Sequence, residues 1–340
     1  MRNNIINKLF LGALTVSFIS CTSQYMDINS NPYQPGSLAD DDYALGSAMS
    51  NLAGCVVSSD VNTAQFTDCL LGGPCGGYFA DSKSAWAFTI SNFNPTDDWT
   101  RVFLKSDKVI PVLYSNLSTV KSVSEATNNP VPYAIAEIIK VVAMSRITDT
   151  YGPIPYSKIG ADGKITIPYD SQEDVYNKFF EELNQAIEIL TENSGSALVA
   201  TADYVYSGNV AKWIKFANSL KLRLAIRVAY ANKTLAQEMA ESAVKHEFGV
   251  IESNADNAKW NYFGTIPNPL YTAVRYNEET SGGDSHVAAD IVCYMNGYSD
   301  GRRAAYFEKS GWKDQEYVGL RRGINLEKAK DCLLYTSDAA

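Results

Sequence analysis

WIKFANSLKLRLAIRVA, residues 213–229, decides the fold class. Trp213, Phe216, Ala217, Leu220, Leu224 and Val228 recur at intervals of one to four residues that keep them on one face of an α-helix. Lys212, Lys215, Lys221, Arg223 and Arg227 fill the other positions, as a solvated face with long side-chain stems does. Arg223 or Arg227 is also placed to pair with an acid on a neighbouring helix. The helix is expected over Asn209 to Asn232.

The same repeat recurs on both sides. Upstream, Ser171 to Asn193 opens with SQED, a serine cap followed by acids in the first turn. Val175, Phe179, Leu183, Ile187 and Leu190 then form its apolar stripe. Before it, PVPYAIAEIIKVVAMSRITDTYG carries Ile135, Ile138, Ile139 and Val142 at helical spacing, with Pro132 suited to a first turn. Thr96 to Ser124 reads as helical with Pro111 as a kink or break. Asp40 to Val57 is patterned likewise, and Leu235 to Glu247 gives a shorter helix downstream. Long amphipathic helices with short connections imply antiparallel hairpins stacked as in solenoid repeats, so the fold class is mainly α.

Two stretches break the helical pattern. LLGGPCGGYFADSKSAWAFTISNFN (70–94) is rich in glycine and aromatics, and residues 253–284 are rich in Asn, Pro, Gly and aromatics. Long loops on a helical scaffold are commonly functional surfaces. Sugar rings dock their C–H faces on Trp and Tyr, while Asp, Asn and Arg bond the hydroxyls. Tyr78, Asp81, Trp86 and Asn92 in the first stretch, and Trp260, Tyr262, Tyr271, Arg275 and Asp284 in the second, bring those residue types together. They form the candidate ligand-binding set; each aromatic alone is more often a packing residue.

The N-terminus points to a compartment. MRNNIINKLFLGALTVSFIS has a positive start at Arg2 and Lys8 and an apolar run from Leu9 to Ile19. That run is too short to span a bilayer, which takes about 20 residues, and suits a secretory signal. Ser20 precedes Cys21 as in lipoprotein processing, so residues 1–20 are expected to be a signal peptide and Cys21 the lipidated N-terminus. Residues 21–39, polar and turn-rich, then read as a tether. An ordinary signal peptide with an incidental cysteine is the alternative.

Composition narrows the function further. With 46% hydrophobic and 20% charged residues the chain is globular. A net charge of −9 without basic blocks argues against nucleic acid. Six cysteines contain no Cys-x-x-Cys, and only His246 and His286 are present, which argues against zinc. Cys69 and Cys75 are candidates to close a small disulfide loop in an oxidising compartment, with a buried free thiol at Cys55 as the plainer alternative and the pairing left open by the sequence. No nucleophile-elbow, zinc-protease or phosphate-loop pattern occurs. The adjacent acids Asp97-Asp98 or Glu181-Glu182 do not meet the demand of a glycosidase for two carboxyls facing each other across a bond. A binding protein is expected, with no catalytic residues and no cofactor.

Four segments, in order, resemble the SusD/RagB family of outer-membrane lipoproteins of Bacteroidetes: MDINSNP (26–32), ITDTYGPIPYSK (147–158), WIKFANSLKLRLAIRVA (213–229) and DGRRAAYFEK (300–309). Gly301 stands where the family usually has Pro. The resemblance implies a scaffold of tetratricopeptide-like helix hairpins, an α-α superhelix, carrying an irregular loop-rich insertion. It also implies a surface-exposed lipoprotein, anchored to the outer membrane through its lipid. Such a protein captures oligosaccharides or other oligomeric nutrients and delivers them to a TonB-dependent SusC-like transporter. Within TYGPIPY, Gly152 and the two prolines end the helix, and Tyr151 and Tyr156 pack the exit, a structural role. Family members are longer than this chain. Residues 40–325 are expected to be an incomplete SusD-like domain, and 326–340, which include Cys332, a non-native tail resembling translated adapter sequence. The competing reading is a helical-repeat adaptor lipoprotein of the envelope that binds proteins and no small ligand.

Overall fold

The computed structural model describes residues 42–81, 103, 108–160, 166–196, 198, 202–260, 267–276, 285–309 and 316–323. Residues 1–39, where the signal peptide, Cys21 anchor and tether are expected, and residues 326–340 lie outside them. Helix α1 (Asp42–Gly54) occupies the expected first segment. Asp60 caps the next run, its Oδ1 accepting from the Thr63 N–H at 2.8 Å. Three helical pieces then follow without a break: α2 (Val61–Ala64), the π-helical π1 (Gln65–Gly72) and α3 (Gly73–Gly76).

This corrects the reading of LLGGPCGG as irregular. Gly73 serves close approach within a helix: a Cβ there would stand 2.2 Å from Phe79 Cδ2 and 2.7 Å from the Asp68 carbonyl oxygen. The helical run also separates the two cysteines. Cys69 faces the core and Cys75 faces outward, and no disulfide joins them, contrary to the expected loop closure.

The scaffold proper consists of α4 (Val109–Thr127), α5 (Val131–Tyr151), α6 (Gln172–Glu192), α7 (Val210–Arg227) and α8 (Lys233–Lys245). Each packs on the next, and α1 packs on α4 and α5. Pro111 makes no kink. α4 begins at Val109, so the proline lies in the first turn, where a backbone N–H has no intrahelical acceptor. Of the expected upstream extension to Thr96, only Phe103 and Lys108 are among the described residues. Ser171, Asn209 and Asn232 cap α6, α7 and α8 through side-chain oxygens. The helix expected over 209–232 ends earlier, at Arg227, and Asn232 caps the next one.

The predicted stripes are the core. Val175, Phe179, Leu183, Ile187 and Leu190 of α6 are buried, as are Trp213, Ala217, Leu220 and Leu224 of α7. α5 is buried on every side, with Ala134, Ile138, Val141, Met144 and Ile147 at 1% exposure or less, which makes it the central helix. Lys221 departs from the solvated face expected for it. It is buried between α6 and α7, with its Nζ donating to Asn184 Oδ1 at 3.1 Å, and burial lowers its pKa.

Three polar clusters fix the layer. Asp203 is 2% exposed; its two oxygens accept from the Val205, Tyr206 and Gly208 N–H groups and from Trp213 Nε1, at 2.8–3.1 Å. Lys140 on α5, buried, lies 2.9 Å from Glu182 on α6 and 3.4 Å from Glu137. The Tyr156 hydroxyl donates to Glu182 Oε2, and burial raises the Glu182 pKa despite Lys140. Asp170 accepts from the Tyr156 and Ser157 N–H groups and pairs with Ile154 across a β-bridge.

Gly152 stops α5 at φ 77°, a conformation that favours glycine. Tyr156 then turns inward to pack edge-on against Phe179 at 5.2 Å. TYGPIPY is thus a structural corner, as its sequence indicates.

Candidate functional site

Beyond the helical layer the chain returns to the glycine-rich run. Arg146 of α5 reaches it first, donating to the Val56 carbonyl at 2.8 Å and to Asp68 at 3.2 Å. The strand β1 (Phe79–Asp81) leaves α3, and β2 (Ser285–Val287) joins it antiparallel, pairing Phe79 with Val287 and Asp81 with Ser285. Leu320 extends the edge: its N–H donates to the Val287 carbonyl at 2.8 Å, and its carbonyl accepts from the Ala289 N–H at 2.7 Å.

Helix α9 (Ala289–Gly297) follows β2. Asp290 in its first turn receives Arg322 Nε and Nη2 at 2.7 and 2.8 Å, a two-pronged pair that holds the Asp290 carboxyl below its usual range. Arg322 also donates to the Pro74 carbonyl. Segments some 250 residues apart are therefore stapled at one point.

The DGRRAAYFEK segment forms a turn and the short α10 (Arg303–Tyr306). Arg303 donates to the Asp300 carbonyl at 2.9 Å and to Asn296 Oδ1 at 3.2 Å, and lies 5.5 Å from the Tyr317 ring centroid. Arg302 bonds Asp300 and holds that carboxyl down to about 2. The turn directs the Tyr306–Glu308 segment back toward β1.

Together these elements enclose a cleft of about 490 Å³. Tyr78 and Phe79 form one wall, and Ser285, Val287 and Ile291 the floor. Val274 and Arg275 from the π-helical π2 (Tyr271–Tyr276) form a second wall, and Tyr306, Phe307, Glu308 and Leu320 a third. Arg275 Nη1 meets Glu308 Oε1 at 2.6 Å across the opening. Tyr78 and Tyr306 are 57% and 61% exposed, so their ring faces are available. The Ser285 hydroxyl is buried and has no hydrogen-bond partner among the described residues. A buried hydroxyl left unpaired costs free energy until a ligand or water supplies a partner.

Of the nine expected ligand residues, the structure brings Tyr78 and Arg275 to this cleft. Asp81 ends β1, half-buried, opposite Ser285. Tyr271 is exposed one turn from Arg275. Trp260 lies elsewhere, with its Cη2 3.9 Å from where a Cβ on Gly54 would be, as a packing residue of the α1 end. Trp86, Asn92, Tyr262 and Asp284 fall outside the described residues. Ser285, Tyr306, Phe307 and Glu308 were not expected. The aromatic-acidic YFE triplet was the available signal, and nothing local ties it to Tyr78. Among the described residues no group of three metal-ligating side chains occurs, and no helix is long and apolar enough to cross a membrane.

The structure is a scaffold of stacked helix hairpins with a tyrosine-walled cleft on its irregular side. The chain belongs to the SusD-like family, described as SusD and RagB outer membrane lipoproteins, whose family model matches residues 27–340. Solved structures agree. A SusD homologue from Bacteroides uniformis is 74% identical with a TM-score of 0.81, over 87% of this chain and 60% of its own. A SusD homologue from Bacteroides thetaiotaomicron is 38% identical with a TM-score of 0.72, over 86% and 58%. A chitin-binding SusD homologue from Flavobacterium johnsoniae is 30% identical with a TM-score of 0.72, over 85% and 59%. The chain thus spans about three-fifths of the length of these relatives. No curated protein matches it.

Proposed function

We infer that this protein is a non-catalytic, lipid-anchored, surface-exposed lipoprotein of the outer membrane. It captures oligosaccharides and passes them to a TonB-dependent SusC-like transporter. The observation that carries the reading is the cleft itself, in a chain of the SusD-like family. Two exposed tyrosine faces offer stacking surfaces, while Arg275, Glu308 and the orphaned Ser285 hydroxyl offer donors and acceptors for sugar hydroxyls. That mixture of flat apolar faces and a few fixed polar groups suits a pyranose ring, which has one apolar face and an equatorial rim of hydroxyls.

The chitin-binding relative makes chito-oligosaccharides the first ligands to try. Titration of a soluble version starting at Thr22 with chitohexaose and maltohexaose is expected to show binding that weakens in Tyr306→Ala. Binding of neither sugar, or binding indifferent to Tyr306 and Tyr78, overturns the site. Cys21→Ser is expected to release the protein from membranes and abolish lipid labelling; unchanged membrane partition would remove the anchor from the reading. Co-purification of a large β-barrel with the lipidated protein tests the transporter partnership.

A further inference from the structure

The tyrosine-walled cleft carries its charge in one place. Among the described residues that line it, the titratable side chains besides the tyrosines are Arg275, Glu308 and His286. Arg275 stands on π2 and Glu308 lies just beyond α10, so the two come from different walls. Their charged ends meet at 2.6 Å across the opening, and the side chains are 44% and 56% exposed. The floor below them is apolar, with Val287, Ile291 and Leu320 around the buried Ser285 hydroxyl.

That pairing sets what a ligand meets at the entrance. A carboxylate brought to Arg275 comes within a few ångströms of Glu308 as well, so attraction and repulsion offset each other. The exposed faces of Tyr78 and Tyr306 present the negative side of the ring quadrupole, which also disfavours an anion stacked on them. Deeper in, a carboxylate gives up its water to a floor whose polar group is a neutral hydroxyl. The formal charge of −9 on the whole chain adds a repulsive background at low salt. Hydroxyl and amide groups escape these costs, because a paired guanidinium and carboxylate still have N–H hydrogens and lone pairs to share.

We propose, building on the capture reading above, that the Arg275–Glu308 pair is a specificity determinant that restricts the cleft to uncharged sugar units and rejects uronic-acid units. Glu308 is the discriminating member: it keeps Arg275 from acting as a carboxylate site. The guanidinium still donates to hydroxyls, and the tyrosine faces still take the apolar side of the ring.

The test uses the protein from Thr22 onward with chitohexaose and maltohexaose, each beside a matched form whose primary hydroxyls are oxidised to carboxylates. Titration calorimetry is run at low salt and mildly alkaline pH, where a histidine is neutral. The wild type is expected to bind the oxidised form about two- to fivefold more weakly than its parent, the size of one half-exposed charge contact. Glu308→Gln is expected to narrow or reverse that ratio, and Arg275→Gln to widen it. A purely structural role for the pair would move both forms of a sugar together and leave their ratio alone. Equal affinities in the wild type, or a ratio that the two variants shift in the same direction or not at all, overturns this inference and leaves the capture reading standing. Binding of neither parent sugar removes the capture reading, and this inference with it.

Discussion

The helical layer and the tyrosine-walled cleft treat their polar groups in opposite ways. In the layer, Asp203 accepts four hydrogen bonds inside the protein, and Lys140, Glu182 and Tyr156 satisfy one another in the core. In the cleft, the Ser285 hydroxyl is buried without a partner among the described residues, and Tyr78 and Tyr306 leave more than half their surface uncovered. Closed polar networks stabilise one arrangement of a fold, whereas open ones retain capacity for a ligand. The difference separates the scaffold from the proposed binding surface within one chain.

Breaking the closed side should have the largest effect. Asp203→Ala leaves three backbone N–H groups and the Trp213 indole N–H without their acceptor, and is expected to cost about 3–5 kcal/mol. Urea unfolding midpoints check this; a shift no larger than that of a surface substitution would show that the loop around Asp203 re-forms with water.

Gly73→Ala comes next, because its Cβ meets the Phe79 ring and the Asp68 carbonyl. Overpacking of that kind costs about 1–3 kcal/mol. If stability is unchanged, the π-helical run is looser than its geometry implies.

The triad in which the Tyr176 hydroxyl donates to Asp149 and Arg227 bonds both gives a pH signature. Burial, with the Asp149 hydrogen bond, pushes the Tyr176 pKa up from 10 to about 12. A raised folded-state pKa contributes stability below the unfolded value that is lost as pH rises through the folded one. Wild-type protein should therefore lose its advantage over Tyr176→Phe between pH 10 and 12. Denaturant midpoints at pH 9 and 12 measure this, and a constant difference contradicts it.

The open side should respond least in stability and only in binding. Tyr306→Ala or Tyr78→Ala removes one stacking face, about 0.5–1.5 kcal/mol, or roughly two- to tenfold in affinity for an oligosaccharide. Thermal unfolding should barely move, since both rings are mostly exposed. A large loss of stability would place these tyrosines on the scaffold side of the comparison.

The scaffold was legible because its signal is local. Ser171 and Asp174 announce the start of α6, and the apolar stripes of α6 and α7 are what the core buries. The cleft was only partly legible. Tyr78 and Arg275 were chosen for their residue type, and nothing in the sequence says that they meet, or that Tyr306 and Ser285 meet them. Pro111, LLGGPCGG and Lys221 were misread for a related reason. A proline's effect depends on where the helix starts, a glycine's on what approaches it, and a lysine's on which neighbour covers the face it shares.

By itself the sequence determined the helix-hairpin scaffold, the Ser171 cap, the structural corner at TYGPIPY and the family, all of which rest on short-range periodicity and ordered motifs. Only the tertiary structure decided which side chains share the tyrosine-walled cleft, that Arg227 is locked against Asp149 and Tyr176, and that Cys69 and Cys75 point apart. Those facts depend on contacts between segments from a few turns to some 250 residues apart. Their geometry is set by how the helices pack, which no local pattern encodes.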